Sequence, residues 1–269
     1  MAQLVVFTDL DGTLLDKSDY GYGPAQGALD ALANAGVPVV LNSSKTAAEM
    51  EALRTSMRNG HPFVVENGGA LCVPFGYFEG ALTTASTPCD LTPCGARYSV
   101  VREILEDLRE RNGFRFRGFG DCTDSEIMAA TGLDLDAAQR ARQRAATEPL
   151  EWLDDEARLE AFAAQVREAG LQMTRGGRFL HVMGEADTGK PVTKLLAKYR
   201  ERHGEVLSVG LGDSPNDLPM LDAVDIAVVV PGGADPNMKP AARQVLRPEA
   251  PGPEGWAWAM RRILARDFN

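Results

Sequence analysis

The chain has 269 residues, and its 38 acidic against 28 basic side chains leave a formal net charge of −10, which disfavours a broad nucleic-acid surface because phosphate backbones are held by clustered Lys and Arg. Hydrophobic residues at 44% and charged residues at 25% are ordinary for a globular protein, and no apolar run approaches the roughly 20 residues needed to span a bilayer. No membrane partner is expected, and an N-terminus without a basic segment, a long apolar stretch or a cleavage site points to the cytoplasm.

Leu4 to Phe7 is a short apolar run followed by Thr8-Asp9-Leu10-Asp11-Gly12-Thr13, the pattern of a buried strand ending in a polar loop. Pro24 to Ala35 reads as a helix with Gly36 just past its end, and Val37 to Leu41 as a second strand, which together imply a parallel crossover. A helix over Thr46 to Met57 and a strand over Phe63 to Val65 continue a doubly wound α/β pattern. From about Thr83 to Gly184 the character changes. Helical stretches near Val100–Arg111, Asp134–Ala145 and Asp155–Ala169 alternate with short strand candidates at Phe114–Arg117, Leu171–Thr174 and Arg178–Val182, as in an inserted α+β domain. The parallel pattern then resumes with a helix from Lys190, strands at Val206–Leu211 and Asp225–Val230, and a closing helix near Gly255–Ala265. The expected organisation is a parallel-sheet core formed by residues 1–83 and 188–269, with a cap formed by 84–187. Cys72, Cys89, Cys94 and Cys122 form no CxxC pair and the three histidines are scattered, so reduced structural thiols are expected rather than a zinc site.

In an open parallel sheet the carboxyl ends of the strands form the ligand crevice, so residues distant in sequence converge there. Four such groups stand out. Asp9 and Asp11, one residue apart, point to the same side while Gly12 permits a tight turn, so one carboxylate can attack and the other can move a proton. Asn42-Ser43-Ser44-Lys45-Thr46 offers hydroxyls and N–H groups to phosphate oxygens, or simply caps a helix. Thr188-Gly189-Lys190 places a lysine at a helix start, where a solvated role is equally ordinary. Gly212-Asp213-Ser214-Pro215-Asn216-Asp217 supplies hard oxygen ligands of the kind that suit magnesium, or a polar surface turn.

In that order the four groups resemble the motifs of the haloacid dehalogenase (HAD) superfamily, and the insertion resembles the type C2B cap of its Cof-like branch. Within that branch the chain is similar to mannosyl-3-phosphoglycerate phosphatases, through Ser43-Ser44-Lys45-Thr46, Glu66-Asn67-Gly68-Gly69-Ala70, Gly118-Phe119-Gly120-Asp121, Thr131-Gly132-Leu133 through Ala137-Ala138 to Glu148-Pro149, and Gly176-Gly177-Arg178-Phe179-Leu180-His181. The resemblance implies Asp9 as nucleophile and Asp11 as general acid and base. It implies Thr13, Ser43, Ser44 and Lys190 at the phosphate, and Mg2+ held by Asp9, Asp11, Asp213, Asn216 and Asp217. Thr188 departs from the lysine often found two residues before Lys190, and the motif's cation is assigned to Lys190.

Substrate choice is expected in the cap, because the core meets a phosphate that many metabolites share. Arg178 beside Gly177 suits a carboxylate through its forked guanidinium, and Arg142, Glu148 and His181 are further candidates to reach a sugar or carboxylate, although a hairpin turn and a solvated helix face account for the same residues. The implied partner is a small phosphorylated glycosyl-glycerate, mannosyl or glucosyl, on a route to a compatible solute. A sugar-phosphate phosphatase acting on, for instance, sucrose phosphate, or a phosphomutase, are the alternatives within the superfamily. The sequence leaves the oligomeric state open.

Overall fold

A computed structural model describes residues 2–175, 178–233, 235 and 237–266. The expected substrate residue Gly177 and its neighbour Gly176 lie outside them. The strands are β1 (Gln3–Thr8), β2 (Val39–Asn42), β3 (Phe63–Val65), β4 (Ala70–Pro74), β5 (Cys89–Pro93), β6 (Phe116–Gly118), β7 (Thr147–Trp152), β8 (Leu171–Arg175), β9 (Leu180–Gly184), β10 (Val206–Gly212), β11 (Ile226–Val229) and β12 (Gln244–Leu246). The helices are α1 (Gln26–Asn34), α2 (Ala47–Ser56), α3 (Tyr98–Asn112), α4 (Asp124–Thr131), α5 (Leu135–Arg142), α6 (Glu156–Glu168), α7 (Gly189–His203), α8 (Leu218–Asp222) and α9 (Gly252–Leu264).

Eight strands form one sheet in the order β12-β11-β10-β1-β2-β3-β4-β5, parallel from β12 to β3 and antiparallel beyond it. Strand order reverses at β1, which pairs with β2 on one side and β10 on the other; a crevice opens outside the strand ends at such a point. Because side chains alternate across a strand, β1 feeds two cores. Val6 packs with Leu32 of α1 and Trp256 and Met260 of α9, while Val5 and Phe7 pack with Val192, Leu195 and Tyr199 of α7 and Met220 of α8. Trp256 is wholly buried, and its indole N–H donates to the Thr8 hydroxyl (2.9 Å), which in turn donates to the Asp9 carbonyl (2.7 Å). The α9 helix thus pins the backbone beside the first motif acid.

The second sheet, β6-β7-β9-β8, is antiparallel throughout and packs Leu150 and Val182 against Val101 and Leu105 of α3 and Phe162 and Val166 of α6. Two expectations are corrected here. Cys89–Pro93, expected within the insertion, pairs as β5 with β4 and so extends the core sheet. Cys72 and Cys89, expected as thiols, are joined in a disulfide, since antiparallel pairing of β4 and β5 brings their Cα atoms to 5.6 Å. Cys94 and Cys122 are free.

Candidate active site

Asp9 follows β1, and its N–H continues the parallel ladder to the Leu211 carbonyl of β10 (2.9 Å). The chain then folds back on itself, with the N–H groups of Thr13 and Leu15 both donating to the Leu10 carbonyl (3.0 and 2.8 Å). Gly12 makes this possible: its φ is +90°, and a Cβ there would stand 2.6 Å from an Asp213 carboxylate oxygen. The loop after β10 is drawn tight by Asp217, whose Oδ2 accepts from the N–H groups of Asp213 (3.0 Å) and Ser214 (2.9 Å) and from the Ser214 hydroxyl (3.0 Å). One carboxylate oxygen from each of Asp9, Asp213 and Asp217 then lies within 4.8 Å of the others.

Three acids at that separation repel one another in a buried place. Burial, then the charges of Asp217, Asp213 and Asp11, hold the Asp9 carboxyl well above its ordinary range. Burial, reinforced by Asp213 and opposed by the Ser214 hydrogen bonds, pushes Asp217 up to about 6. This is a donor set of hard oxygens short of positive charge, the chemistry that suits a divalent cation such as magnesium. The Lys17 ammonium already stands at 2.8 Å from Asp213 Oδ2. The Asp11 side chain is turned elsewhere, with Oδ2 on the Lys45 ammonium at 2.5 Å and Oδ1 buried without a hydrogen-bond partner among the described residues.

The carboxylates open into a cavity of about 530 Å³ lined by Asp9, Asp11, Ser44, Asn67, Asp213 and Asn216, among others, with His181 of β9 reaching it from the second sheet. Ser43 is buried under this wall, its hydroxyl accepting from the Lys45 N–H (3.2 Å), and Thr13 is wholly buried with a hydroxyl that has no partner among the described residues. Burial and the nearby Arg144 charge push the His181 imidazole down to about 4, so it is neutral at physiological pH.

Core and cap are joined beside the cavity by Glu66. Its carboxylate, wholly buried, accepts from the N–H groups of Ala145 (2.7 Å), Ala146 (3.1 Å) and Thr147 (2.8 Å) and from the Thr147 hydroxyl (2.9 Å), with Arg144 at 3.4 Å. Glu66 and Asn67 take φ of 54° and 58°, a conformation costly for residues with a Cβ, and the bend is held by the carbonyls of Lys45 and Ser43, which accept their N–H groups at 3.0 Å each. This bend aims Asn67 into the cavity while Glu66 faces the cap.

Several expected residues are placed elsewhere. Lys190 is exposed, its ammonium donating to the Glu185 carbonyl (2.6 Å), and it does not line the cavity. Glu148 is wholly buried within the cap, accepting from Tyr98 (2.7 Å), Arg102 (2.8 Å) and the Gly120 N–H (2.9 Å), so its charge is spent on holding cap elements together. Arg142 pairs with Asp124 at 2.5 Å, and Arg178 donates to the Ala130 carbonyl at 2.7 Å. Conversely, Lys17 and Tyr20 line the cavity though neither stands out from the sequence, while Lys45, which holds Asp11, and Asn67, which lines the cavity, fall within quoted motifs without a role assigned to them. The bend of Glu66-Asn67-Gly68-Gly69 carried a usable signal, because two glycines after an acid and an amide mark an irregular turn directly after a strand.

The fold itself recurs among known structures. A phosphatase of the haloalkanoate (HAD) enzyme superfamily from Bacteroides thetaiotaomicron superposes with a TM-score of 0.64, over 97% of this chain and 95% of that one, at 17% identity. Parallel core and inserted antiparallel sheet together are the fold of that HAD phosphatase. No family model matches the sequence. Among curated proteins, a glucosyl-3-phosphoglycerate/mannosyl-3-phosphoglycerate phosphatase of Methanococcoides burtonii is 37% identical over 270 residues, 98% of each chain, and one of Persephonella marina is 36% identical over 265 residues, 97% of each. This chain belongs to the glucosyl-3-phosphoglycerate/mannosyl-3-phosphoglycerate phosphatase family.

Proposed function

We propose that the protein is a phosphoric monoester hydrolase that converts mannosyl-3-phosphoglycerate, glucosyl-3-phosphoglycerate or both to the glycosylglycerate and phosphate, with Mg2+, through a phosphoryl group carried on Asp9. The observation that carries this reading is the meeting of four carboxylates of two kinds at the strand ends: Asp9, Asp213 and Asp217 clustered, and Asp11 held apart on a lysine. Asp9, Asp213 and Asp217 with Asn216 would hold magnesium, whose positive charge would keep Asp9 ionised and offset the charge of the phosphoryl group.

In the first step a carboxylate oxygen of Asp9 forms a bond to phosphorus as the bond from phosphorus to the substrate oxygen breaks. Asp11, protonated for this step, gives its proton to the departing alkoxide, which leaves as the glycosylglycerate hydroxyl. In the second step Asp11, now ionised, takes a proton from water as the water oxygen bonds to phosphorus and the bond from Asp9 to phosphorus breaks, releasing inorganic phosphate and restoring both acids. Separate environments support the two roles, since Asp11 lines the cavity yet pairs with Lys45 and stands outside the Asp9, Asp213 and Asp217 cluster. Ser44, with Ser43 and Thr13 behind it, lends hydroxyls to the phosphate pocket. Neutral His181, a cap residue that lines the cavity, offers the glycerate or sugar a hydrogen bond.

Phosphate release should be measured from mannosyl-3-phosphoglycerate, glucosyl-3-phosphoglycerate, 3-phosphoglycerate and several sugar phosphates, with magnesium and after chelation. Magnesium-dependent release fastest from a glycosyl-3-phosphoglycerate is expected. Fastest release from a plain sugar phosphate would replace the substrate and keep the chemistry, and an isomerised sugar phosphate without free phosphate would make the protein a mutase.

A further inference from the structure

We propose that the cation holding the substrate's phosphate is Lys45, from the turn after β2, and that α7 contributes none. The inference rests on the phosphate-ester reading above and assigns a residue within that site.

The start of α7 is turned so that Thr188, not Lys190, faces the loop that carries Asp213 and Asp217. Thr188 is buried, its hydroxyl donates to the Asn216 carbonyl (2.9 Å), and its own carbonyl accepts from the Asn42 side-chain amide (3.2 Å). Lys190 is two residues on, about 200° around the helix, which directs it to solvent and the Glu185 carbonyl. The helix terminus is not free to take the anion either, because Asp187 Oδ1 accepts from the N–H groups of Gly189 and Lys190, both at 2.8 Å. A threonine hydroxyl committed to a carbonyl supplies no charge.

Two lysines remain at the acids. Lys17 is bound to Asp213 (2.8 Å) and the Gly232 carbonyl (2.6 Å), so its charge is directed at the acid cluster that a divalent cation would occupy. Lys45 pairs instead with Asp11, the acid assigned above to the leaving oxygen, and its ammonium lies 5.5 Å from the centre of the Tyr20 ring, which lines the cavity. Its backbone is fixed at both ends, the N–H donating to Ser43 Oγ (3.2 Å) and the carbonyl accepting from the Glu66 N–H (3.0 Å). The residue whose N–H holds the Lys45 carbonyl is also the one whose carboxylate clasps the cap, so the turn that carries Lys45 and the join to the cap share Glu66. Asp11 and Tyr20, the two groups this ammonium touches, both line the cavity, so an ester phosphate beside Asp11 comes within reach of it.

The test compares Lys45→Met and Lys45→Gln with Lys190→Met, each checked for wild-type thermal unfolding. Both Lys45 variants should lose about 100-fold in kcat/KM for the preferred ester, the usual cost of one charge-stabilising donor, while Lys190→Met stays within about twofold. Binding of inorganic phosphate by the magnesium-loaded protein, read by calorimetry, separates phosphate holding from mere support of Asp11: either Lys45 variant should weaken it at least about tenfold. Unchanged phosphate affinity in the Lys45 variants, or a loss in Lys190→Met as large as theirs, would overturn the assignment. A wild-type protein that hydrolyses no ester would instead remove the functional reading, and the phosphate affinities would still decide the lysine.

Discussion

In the core, the carboxylates of Asp9, Asp11, Asp213 and Asp217 gather at the strand ends with Lys17 and Lys45 as their ion-pair partners among the described residues, whereas in the cap Arg102, Arg109, Arg117 and Arg142 are each paired with acids on neighbouring cap elements. The core keeps charge in excess where chemistry needs it. The cap pairs these arginines within itself and, among the described residues, sends His181 into the shared cavity. Rate should therefore depend on core acids, and selectivity on very few cap atoms together with the join that positions them.

The sharpest way to break this contrast is Asp9→Asn, expected to lower kcat by at least about 1,000-fold with an unchanged fold, as loss of a covalent nucleophile does. Turnover near wild type, with deamidation excluded by mass, would end the account of the core. Next in size is the join. Glu66→Ala strands two buried N–H groups and a part-buried one, so urea unfolding should show a loss of about 3 kcal/mol, with KM raised more than kcat is lowered. A change below about 0.5 kcal/mol would mean that the clasp is dispensable. His181→Ala should raise KM about tenfold for the glycosyl ester and leave a small aryl phosphate unaffected; equal losses on both would place the imidazole in the chemistry instead of the selection.

The smallest effect is a pH dependence of the metal-free protein. Asp217, raised from an ordinary 3.8 to about 6, binds its proton more tightly when folded, so its contribution to stability is full below pH about 4 and is lost as pH rises through about 6. Asp121 behaves oppositely: against burial, which raises it, the Arg102 and Arg109 guanidiniums hold it at about 2, so its contribution fades only in strong acid. Thermal unfolding without metal should thus weaken by several degrees between pH 5 and 7.5, and added magnesium should recover the loss at pH 7.5. Equal melting temperatures at both pH values would contradict the burial of the cluster.

The core was legible because its chemistry is local in sequence. An apolar strand ending in Asp9-x-Asp11-Gly12-Thr13 and another ending in Gly212-Asp213 announce the crevice, and β3 falls at the residues expected from its apolar run. What escaped depends on pairing between distant segments. β7 carries Pro149 inside the strand and reads as a break, and β5 alternates over only five half-buried or exposed residues bounded by prolines, so neither strand emerges from periodicity. The Cys72–Cys89 bond follows from β4 and β5 being neighbours, which no spacing rule supplies. Glu148, Arg142 and Arg178 looked available because charged residues do in sequence, where their partners Arg102, Asp124 and the Ala130 carbonyl are 18 to 48 residues away. At Lys190 the motif was visible and the rotation of the helix was not.

The most direct measurement is acid quenching of the enzyme during turnover, followed by peptide mass mapping of residues around β1. A single phosphoryl adduct on Asp9 that appears with substrate and magnesium, decays as substrate is consumed and is absent in Asp9→Asn is the expected result. Full turnover with no adduct at Asp9 at any quench time, together with ¹⁸O from labelled water entering phosphate with inversion at phosphorus, would show direct attack by water and contradict the central claim.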